Sequence, residues 1–341
     1  MRRGAILPAL FAIAAAACMT RPPSGATGGS PGPLVWPPEG APSPGEVVYR
    51  GTVFELKAGG AAGVLRKIAG ANGESESGRL VRPVAVAVAG DRLWIADSGR
   101  PSISVSRLDG RSTTFLALPD GFRPVAVAAA QGSSEVWVAD GAAPRLRAYS
   151  GDGKFLREVA LPAGAERCGG VAVAVNGDLL VTDIQAGEVF RLDPVGALKA
   201  RSGRRGEGAG EFNYPGAIAV ARDGTVWVVD TFNFRLQHLS ADLKPLGGFG
   251  EAGDGSGHFA LPKGMAIDPE GHIYVSDARF DLVQVFDAEG RLLLVVGRHG
   301  EGPGEFSNPA GLACDAAGTI VIADTGNRRV QVFKYRRRSS P

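Results

Sequence analysis

The chain has 341 residues, of which 44% are hydrophobic, and its 37 basic and 35 acidic side chains give a formal net charge of +2. Removal of residues 1–17, which carry two arginines and no acidic residue, would lower that charge from +2 to 0. A neutral exported chain has no overall basic field that attracts nucleic acid, so we expect no nucleic-acid partner.

The N-terminus has the pattern of an export signal. Two arginines precede an apolar run over residues 5–17 that is too short to span a bilayer, so we assign 1–17 as a signal peptide. The small residues before Cys18 are similar to a bacterial lipobox, which predicts that Cys18 is lipidated and anchors the protein to the membrane. Ala15 stands where a lipobox usually has leucine, so ordinary cleavage and secretion to the periplasm or beyond remain the alternative. Met19 favours the outer membrane by the same resemblance.

Residues 18–45 are rich in proline, glycine and serine, and we expect them to form a semi-extended tether that packs no core. Trp36 is the one bulky side chain in this tether. We expect it to rest on the folded domain that follows, not to serve a site.

From Arg82 to Phe333 one pattern recurs six times, in which β-branched or aromatic residues run into an aspartate. The intervals between these aspartates are 43, 43, 47, 47 and 47 residues. A fixed period of this length, without a long helical pattern, indicates a repeat architecture whose unit cannot bury its own faces. The repeated aspartates are Asp97, Asp140, Asp183, Asp230, Asp277 and Asp324.

Each unit predicts four strands, because short apolar and β-branched runs alternate with Gly, Asp and Asn turns. In the fourth unit the predicted strands are 215–220, 225–229, 235–239 and 246–249. The first strand of every unit is small and apolar on both faces, as is needed where sheets crowd an axis. The sequence therefore predicts an all-β fold, a six-bladed β-propeller with four-stranded antiparallel blades, acting as a monomer.

The repeated motifs resemble the NHL repeat. The resemblance covers residues 82–333 and rests on strands of the IYVSD type followed by a segment of the DTGNRRVQVF type. It is strongest in the last three units. It is degenerate in the first three units, where Ser98-Gly99-Arg100 and Gly141-Ala142-Ala143 replace the usual Asn and Arg. The resemblance implies the propeller fold and does not imply one function, because propeller blades host unrelated sites.

Residues 46–78 lie outside the repeats, and we expect them to hold a ring-closing strand and an insertion. The last unit ends after its third strand at Phe333, so its fourth strand must come from the N-terminal side if no edge is to stay open. We favour Val47–Phe54 as this strand and Gly63–Ala69 as a short helix. The alternative is a closing strand within Gly63–Leu80. The propeller then spans 79–335, and 336–341 form a basic tail that is solvated or contacts anionic lipid.

The two cysteines of the repeats are predicted to be free thiols. Cys168 begins the first strand of the third blade, and Cys314 lies in the first strand of the sixth. Opposite blades of a six-membered ring lie too far apart for a disulfide, whose Cα atoms are within about 7 Å.

We predict no catalytic residue, metal or cofactor. The repeated aspartates begin turns, so we expect them to accept hydrogen bonds from turn amides or to pair with a following arginine. The four histidines fall at different places in their blades, which does not indicate a zinc site. Propeller lactonases hold calcium at the channel mouth with acidic and amide side chains, whereas the corresponding positions here are not acidic.

Those positions predict a binding surface instead. Arg82, Arg123 and Arg167 stand just before the first strands of three consecutive blades, so a propeller gathers them into an arc. Planar guanidinium groups suit a carboxylate, a phosphate or an acidic partner segment. We define the rim as these three arginines together with Tyr214, Lys263 and Asn308.

The sequence thus predicts a non-enzymatic binding or scaffolding module at the bacterial cell envelope. Its expected partner is another envelope protein or an anionic ligand. The alternative is a propeller hydrolase of the lactonase type with a site at the channel mouth.

Overall fold

The computed structural model describes residues 34–37, 45–53, 79–109, 113–129 and 135–337. Apart from one turn of 3-10 helix at Thr231–Asn233, the regular structure in these ranges is β. No helix among the described residues is long and apolar enough to cross a membrane.

The strands fall into six sheets, which we call blades one to six in chain order. Two strands precede blade one, β1 (Val35–Trp36) and β2 (Gly45–Val53). Blade one contains β3 (Pro83–Ala89), β4 (Arg92–Asp97), β5 (Ser102–Arg107) and β6 (Thr113–Ala117). Blade two contains β7 (Pro124–Ala129), β8 (Glu135–Asp140), β9 (Arg145–Ser150) and β10 (Phe155–Ala160). Blade three contains β11 (Cys168–Val173), β12 (Leu179–Asp183), β13 (Glu188–Leu192) and β14 (Leu198–Gly203).

The other three blades repeat this order. Blade four contains β15 (Pro215–Val220), β16 (Val226–Asp230), β17 (Arg235–Leu239) and β18 (Pro245–Phe249). Blade five contains β19 (Pro262–Ile267), β20 (Ile273–Asp277), β21 (Leu282–Phe286) and β22 (Leu292–Val296). Blade six contains β23 (Pro309–Cys314), β24 (Thr319–Asp324) and β25 (Arg329–Arg337), to which β2 and β1 are added.

The blades form a closed ring with the first strand of each blade innermost. Each first strand packs beside the first strand of the next blade, and β23 of blade six packs beside β3 of blade one. The predicted six-bladed propeller is therefore confirmed. In blade four the predicted first and third strands match β15 and β17, the second is shifted by one residue from β16, and β18 begins one residue before the predicted fourth strand.

An N-terminal strand closes blade six, as predicted. Strand β2 pairs antiparallel with β25, with Gly45 opposite Arg337 and Val53 opposite Val330. This pairing confirms the favoured closing segment, which began at Val47. Its last residue, Phe54, and the stretch 63–69 expected to form a helix lie outside the described residues.

The structure adds a strand at this blade that the sequence did not predict. Strand β1 pairs with β2, so Val35–Trp36 of the tether contributes a fifth strand. Trp36 rests on the propeller as expected, because its ring meets the Phe333 ring edge-on at a centroid distance of 5.9 Å. Strand β25 also continues to Arg337, into the predicted tail, because β2 supplies hydrogen-bond partners for its backbone.

The core lies between neighbouring blades. Second strands are buried at nearly every residue, because both faces of a blade pack against other blades. Trp94 and Trp137 in these strands are fully buried, and so are Phe212, Phe259 and Phe306 in the connections between blades. Burial of such a ring contributes roughly 1.5–3 kcal/mol each, which holds the blades at fixed positions around the channel.

Candidate functional site

One mouth of the central channel collects the segments that precede the innermost strands. Each innermost strand runs away from this mouth and each second strand returns to it, so the turns between second and third strands lie here as well. Among the described residues, the turns between first and second strands and between third and fourth strands lie at the opposite end. The order of the strands within each blade therefore determines which loops meet at this mouth.

A cavity of about 860 Å³ occupies this mouth and the channel below it. All six residues of the predicted rim line it, one from each blade. Its deeper wall is formed by apolar residues of the innermost strands, among them Val84, Val125, Val171, Ile218, Met265 and Leu312. Three arginines and one lysine line the cavity, and no carboxylate among the described residues does so.

The three arginines of the rim are exposed and poorly partnered. Within the described ranges the side chains of Arg82 and Arg123 make no hydrogen bond or ion pair. The Nε of Arg167 donates to the carbonyl oxygen of Gly141 at 3.1 Å, which holds its guanidinium group towards blade two. The arc therefore presents guanidinium N–H groups for an outside acceptor.

Lys263 of blade five extends this positive region. Blade six lies between it and Arg82 of blade one. Its Nζ donates to Oδ1 of Asn308 at 2.7 Å. Burial lowers the pKa of Lys263, the nearby charge of Arg82 lowers it further, and Asp277 opposes both effects. Arg82 and Lys263 are therefore close enough to repel, and a bound anion would relieve that repulsion.

Blade four contributes aromatic rings instead of a cation. Tyr214 is 41% exposed and Phe232 is 48% exposed, and their ring centroids lie 4.9 Å apart. We call these two residues the aromatic pair. Phe232 was missed by the sequence analysis, although a signal exists. It stands two residues after Asp230, where the other five units have Gly99, Ala142, Gln185, Arg279 and Gly326.

Two rim residues have left-handed backbones. Tyr214 has a φ of 65° and Asn308 a φ of 52°, and each precedes a proline. Both features are unfavourable, because residues before proline avoid helical backbone angles and non-glycine residues rarely adopt positive φ. Such strain costs on the order of 1–3 kcal/mol each and is typical of ligand clamps. The backbone N–H of Asn308 donates a hydrogen bond to Oδ1 of Asp281 at 2.6 Å.

The repeated aspartates hold the backbone of the rim and do not line the cavity. All six are buried. Asp97 accepts the backbone N–H of Arg82 at 2.8 Å, and Asp140 accepts that of Arg123 at 2.9 Å. Asp183 accepts the N–H of Arg167 at 3.2 Å. The same carboxylates accept amides of the following turn, so each fastens two loops at the mouth.

In three blades the aspartate also pairs with an arginine of the third strand. The carboxylates accept a hydrogen bond from the Nε–H group of that arginine at 2.7–2.9 Å. The pairs are Asp140 with Arg145, Asp230 with Arg235, and Asp324 with Arg329. Asp230 and Asp324 further accept an Asn and a Gln side chain of the same blade. These contacts occupy the carboxylate oxygens, which makes these aspartates part of the scaffold.

Histidines and cysteines do not form a cluster at the mouth. The described residues contain no group of three His, Cys, Asp or Glu side chains arranged to hold a metal ion. None of the four histidines lines the cavity, and His238 stacks on Trp227 at 4.2 Å. Cys168 and Cys314 are free, as predicted. Cys168 lines the channel, but burial raises the pKa of its thiol to about 12, so the reactive thiolate is disfavoured.

Known proteins resemble this chain in its repeat and its fold. The NHL repeat model matches residues 306–333. No curated protein sequence matches the chain. A streptogramin B lyase structure is 14% identical with a TM-score of 0.58 and covers 76% of this chain and 95% of its own.

Two further structures have the same architecture. Virginiamycin B lyase from Staphylococcus aureus is 17% identical with a TM-score of 0.56, over 75% of this chain and 97% of its own. An auxiliary nutrient binding protein from Bacteroides thetaiotaomicron is 13% identical with a TM-score of 0.60, over 75% and 70%. Identities this low establish the propeller fold alone. The chain thus carries an NHL repeat on a six-bladed propeller.

Proposed function

We propose that this protein is a binding module of the bacterial cell envelope that recognises anionic groups at the channel mouth. The observation that carries the proposal is the charge of that mouth. Four cationic side chains line the cavity, and no described carboxylate lines it. The anion belongs to a small ligand or to an acidic segment of another envelope protein.

The chemistry of the arc suits a carboxylate or a phosphate. A guanidinium group offers a planar pair of N–H donors, and charge-assisted bonds of this kind are about twice as strong as neutral ones. Arg82 and Arg123 have no side-chain partner among the described residues that an anion would have to displace. Low dielectric walls below the mouth strengthen the attraction.

The proposed location is the outer membrane, reached through a lipid on Cys18. The support is the sequence alone, because Cys18 lies outside the described residues. If the proposal is right, labelled fatty acid enters the protein and Cys18→Ser abolishes the labelling. An unlabelled wild-type protein that is processed in the same way as the variant would contradict the anchor.

Titration calorimetry with succinate and inorganic phosphate at low ionic strength tests the binding site. We expect saturable binding by the wild type and its loss when Arg82, Arg123 and Arg167 are all changed to glutamate. The matched control changes Lys154, Arg222 and Lys244 to glutamate. These residues lie in turns at the opposite end of the channel, so the net charge changes equally and the mouth does not. Circular dichroism checks that both variants fold.

Two results would contradict the proposal. One is that neither anion binds the wild type. The other is that the triple arginine variant binds as tightly as the control variant does.

An enzymatic role is the second candidate, because Lys263 has a lowered pKa and lies in a cavity of small-molecule size. An amine of this kind could act as a base in lyase or hydrolase chemistry. Turnover of a lactone or cyclic ester that Lys263→Met abolishes would favour this candidate over simple binding.

A further inference from the structure

The mouth of the channel has one sector that differs from the rest. Going round the ring, blades five, six, one, two and three present Lys263, Asn308, Arg82, Arg123 and Arg167. Blade four alone presents the aromatic pair, Tyr214 and Phe232. In a six-membered ring blade four lies opposite blade one, so the two rings stand across the channel from Arg82.

The aromatic pair is exposed at a place where burial would be favourable. Together the two rings leave apolar surface open at the edge of a cavity, although the core packs all its large rings tightly. The two rings contact each other at a centroid distance of 4.9 Å, next to the left-handed backbone of Tyr214. A rigid aromatic surface binds a planar apolar group with little loss of conformational entropy.

We call the contact between the first strands of two neighbouring blades a seam. Four seams contain glycines, and the one next to the aromatic pair has the widest spacing of these four. A Cβ placed on Gly264 would lie 2.1 Å from the Ala310 carbonyl oxygen across the seam between blades five and six. A Cβ on Gly170 would lie 2.5 Å from the Gly216 carbonyl oxygen, and a Cβ on Gly311 would lie 2.6 Å from the Cα of Ala85. For Gly216, between blades four and five, the nearest atom across the seam is the Lys263 carbonyl oxygen at 3.6 Å.

Hydroxyl groups bridge the tighter seams. Thr182 donates to the Gly216 carbonyl between blades three and four, and Ser276 donates to the Ala310 carbonyl between blades five and six. Thr325 donates to the Pro83 carbonyl between blades six and one. Between blades four and five Val229 occupies the place of Thr182 and Ser276 and has no hydroxyl group. Thr231 occupies the place of Thr325, but among the described residues its hydroxyl makes no hydrogen bond across this seam.

We propose that the mouth takes a small aromatic carboxylate, whose ring packs on Tyr214 and Phe232 while its carboxylate groups bind the arginine arc. This inference rests on the proposed anion-binding function and specifies its ligand. An extended acidic peptide would satisfy the arginines but would leave the aromatic pair exposed. A compact ligand with one apolar end and one anionic end matches both halves of the mouth, and the cavity has the size of small-molecule sites.

Three related probes separate the ring from the charge. Phenylsuccinate and succinate carry the same two carboxylates and differ in the ring, and phenylsuccinamide keeps the ring without the charges. In low-salt calorimetry we expect phenylsuccinate to bind at least about tenfold more tightly than succinate, and phenylsuccinamide not to bind.

Substitution of the aromatic pair locates the ring. We expect Phe232→Ser to remove the advantage of phenylsuccinate over succinate. Tyr214→Asn is a second variant, because asparagine tolerates the left-handed backbone at this position. Phe155→Ser is the matched control, since Phe155 is also 45% exposed but lies on the outer strand β10 of blade two.

Each outcome decides between the two levels of the hypothesis. Equal affinity for phenylsuccinate and succinate, or an advantage that survives in both aromatic-pair variants, overturns the aromatic ligand while anion binding stands. A loss that Phe155→Ser reproduces also overturns it, because the effect would not come from the mouth. Absence of saturable binding by both succinate and phenylsuccinate overturns the anion-binding function itself. Tighter binding of a hexaglutamate peptide than of phenylsuccinate would replace the small ligand with a protein partner.

Discussion

At the scale of single residues, the repeated aspartates occupy equivalent positions but differ in what depends on them. The Asp324 carboxylate accepts bonds from Asn327, Arg329 and Gln331, and the Arg329 side chain is only 4% exposed. Among the described residues, the Asp97 carboxylate accepts hydrogen bonds from backbone amides alone.

We therefore expect Asp324→Ala to destabilise the protein more than Asp97→Ala. Loss of Asp324 leaves a buried guanidinium without its counter-charge, which costs about 3–5 kcal/mol. Loss of Asp97 leaves unsatisfied amides, which costs about 1–3 kcal/mol. Urea unfolding of the two variants measures both values. Equal destabilisation would mean that the ion pair contributes nothing beyond the amide contacts.

A pair formed by the partly buried His272 and the buried Asp268 gives the stability a pH dependence. The two side chains lie 2.9 Å apart, and Tyr274 donates to the same carboxylate. The hydrogen bond to Asp268 raises the pKa of His272, opposed by burial, while Asp268, Glu270 and Asp287 add attraction. Because the pKa of His272 is higher in the folded state, protonation of His272 stabilises the fold. This stabilisation is fully present at pH values below the unfolded-state pKa of about 6.5, and it is lost as the pH rises through the folded-state pKa.

His272→Gln should therefore destabilise the protein more at about pH 5.5 than at about pH 8.5. We expect a difference on the order of 1 kcal/mol, as for a hydrogen bond to a charged group. Urea unfolding at the two values measures it. His299→Gln is the control, because His299 is 78% exposed in its pair with Asp281 and surface pairs contribute little. A pH-independent effect at His272 would contradict the assignment.

At the scale of elements, the closing strand determines whether the ring has an open edge. Strand β2 covers β25 over nine residues of strand, and Val47 and Val53 are buried beside it. Without β2 the backbone of β25 would offer unpaired N–H and C=O groups to other chains.

We expect a chain that begins at Arg79 to aggregate and a chain that begins at Gly45 to stay soluble and monomeric. Both retain blades one to five and β23–β25, and they differ in residues 45–78, which include the closing strand β2. Light scattering and thermal unfolding of the two chains measure the effect. Equal solubility and equal Tm would show that the ring is stable without β2.

The innermost strands allow a second test, because equivalent glycines face different surroundings. Gly264→Ala would place a methyl group 2.1 Å from the Ala310 carbonyl oxygen, which forces the neighbouring backbone to move. In Gly216→Ala the nearest atom is the Thr231 hydroxyl at 3.2 Å. We expect Gly264→Ala to cost about 1–3 kcal/mol and Gly216→Ala clearly less, measured by urea unfolding. The reverse order would contradict the difference between the two seams.

Element prediction from the sequence succeeded where a pattern was repeated and failed where it was not. The third strand of blade four, Arg235–Leu239, was predicted to the residue because six copies fix its phase. Strand β1 has two residues in a proline-rich stretch, too few for an alternating pattern. Its existence depends on pairing with β2 and on the contact of Trp36 with Phe333, and both are tertiary interactions.

At the scale of the whole molecule, the rim could be predicted because the repeat phase carries three-dimensional information. Arg82, Arg123 and Arg167 are 41 and 44 residues apart, yet equivalent positions in a ring must meet at one mouth. The partner of Lys263 and the packing of Phe232 on Tyr214 could not be predicted in this way. They depend on the rotation of side chains between neighbouring loops, which no periodicity encodes.

The loose seam between blades four and five has a consequence for how the ring opens. Of the four seams that contain glycines, the other three are joined by a hydroxyl hydrogen bond, and among the described residues this one is not. Backbone amides of β15 and β19 should therefore exchange with deuterium sooner than those of β23 and β3. A propeller with six similar blades would then open more readily between blades four and five, below the aromatic pair, than between blades six and one.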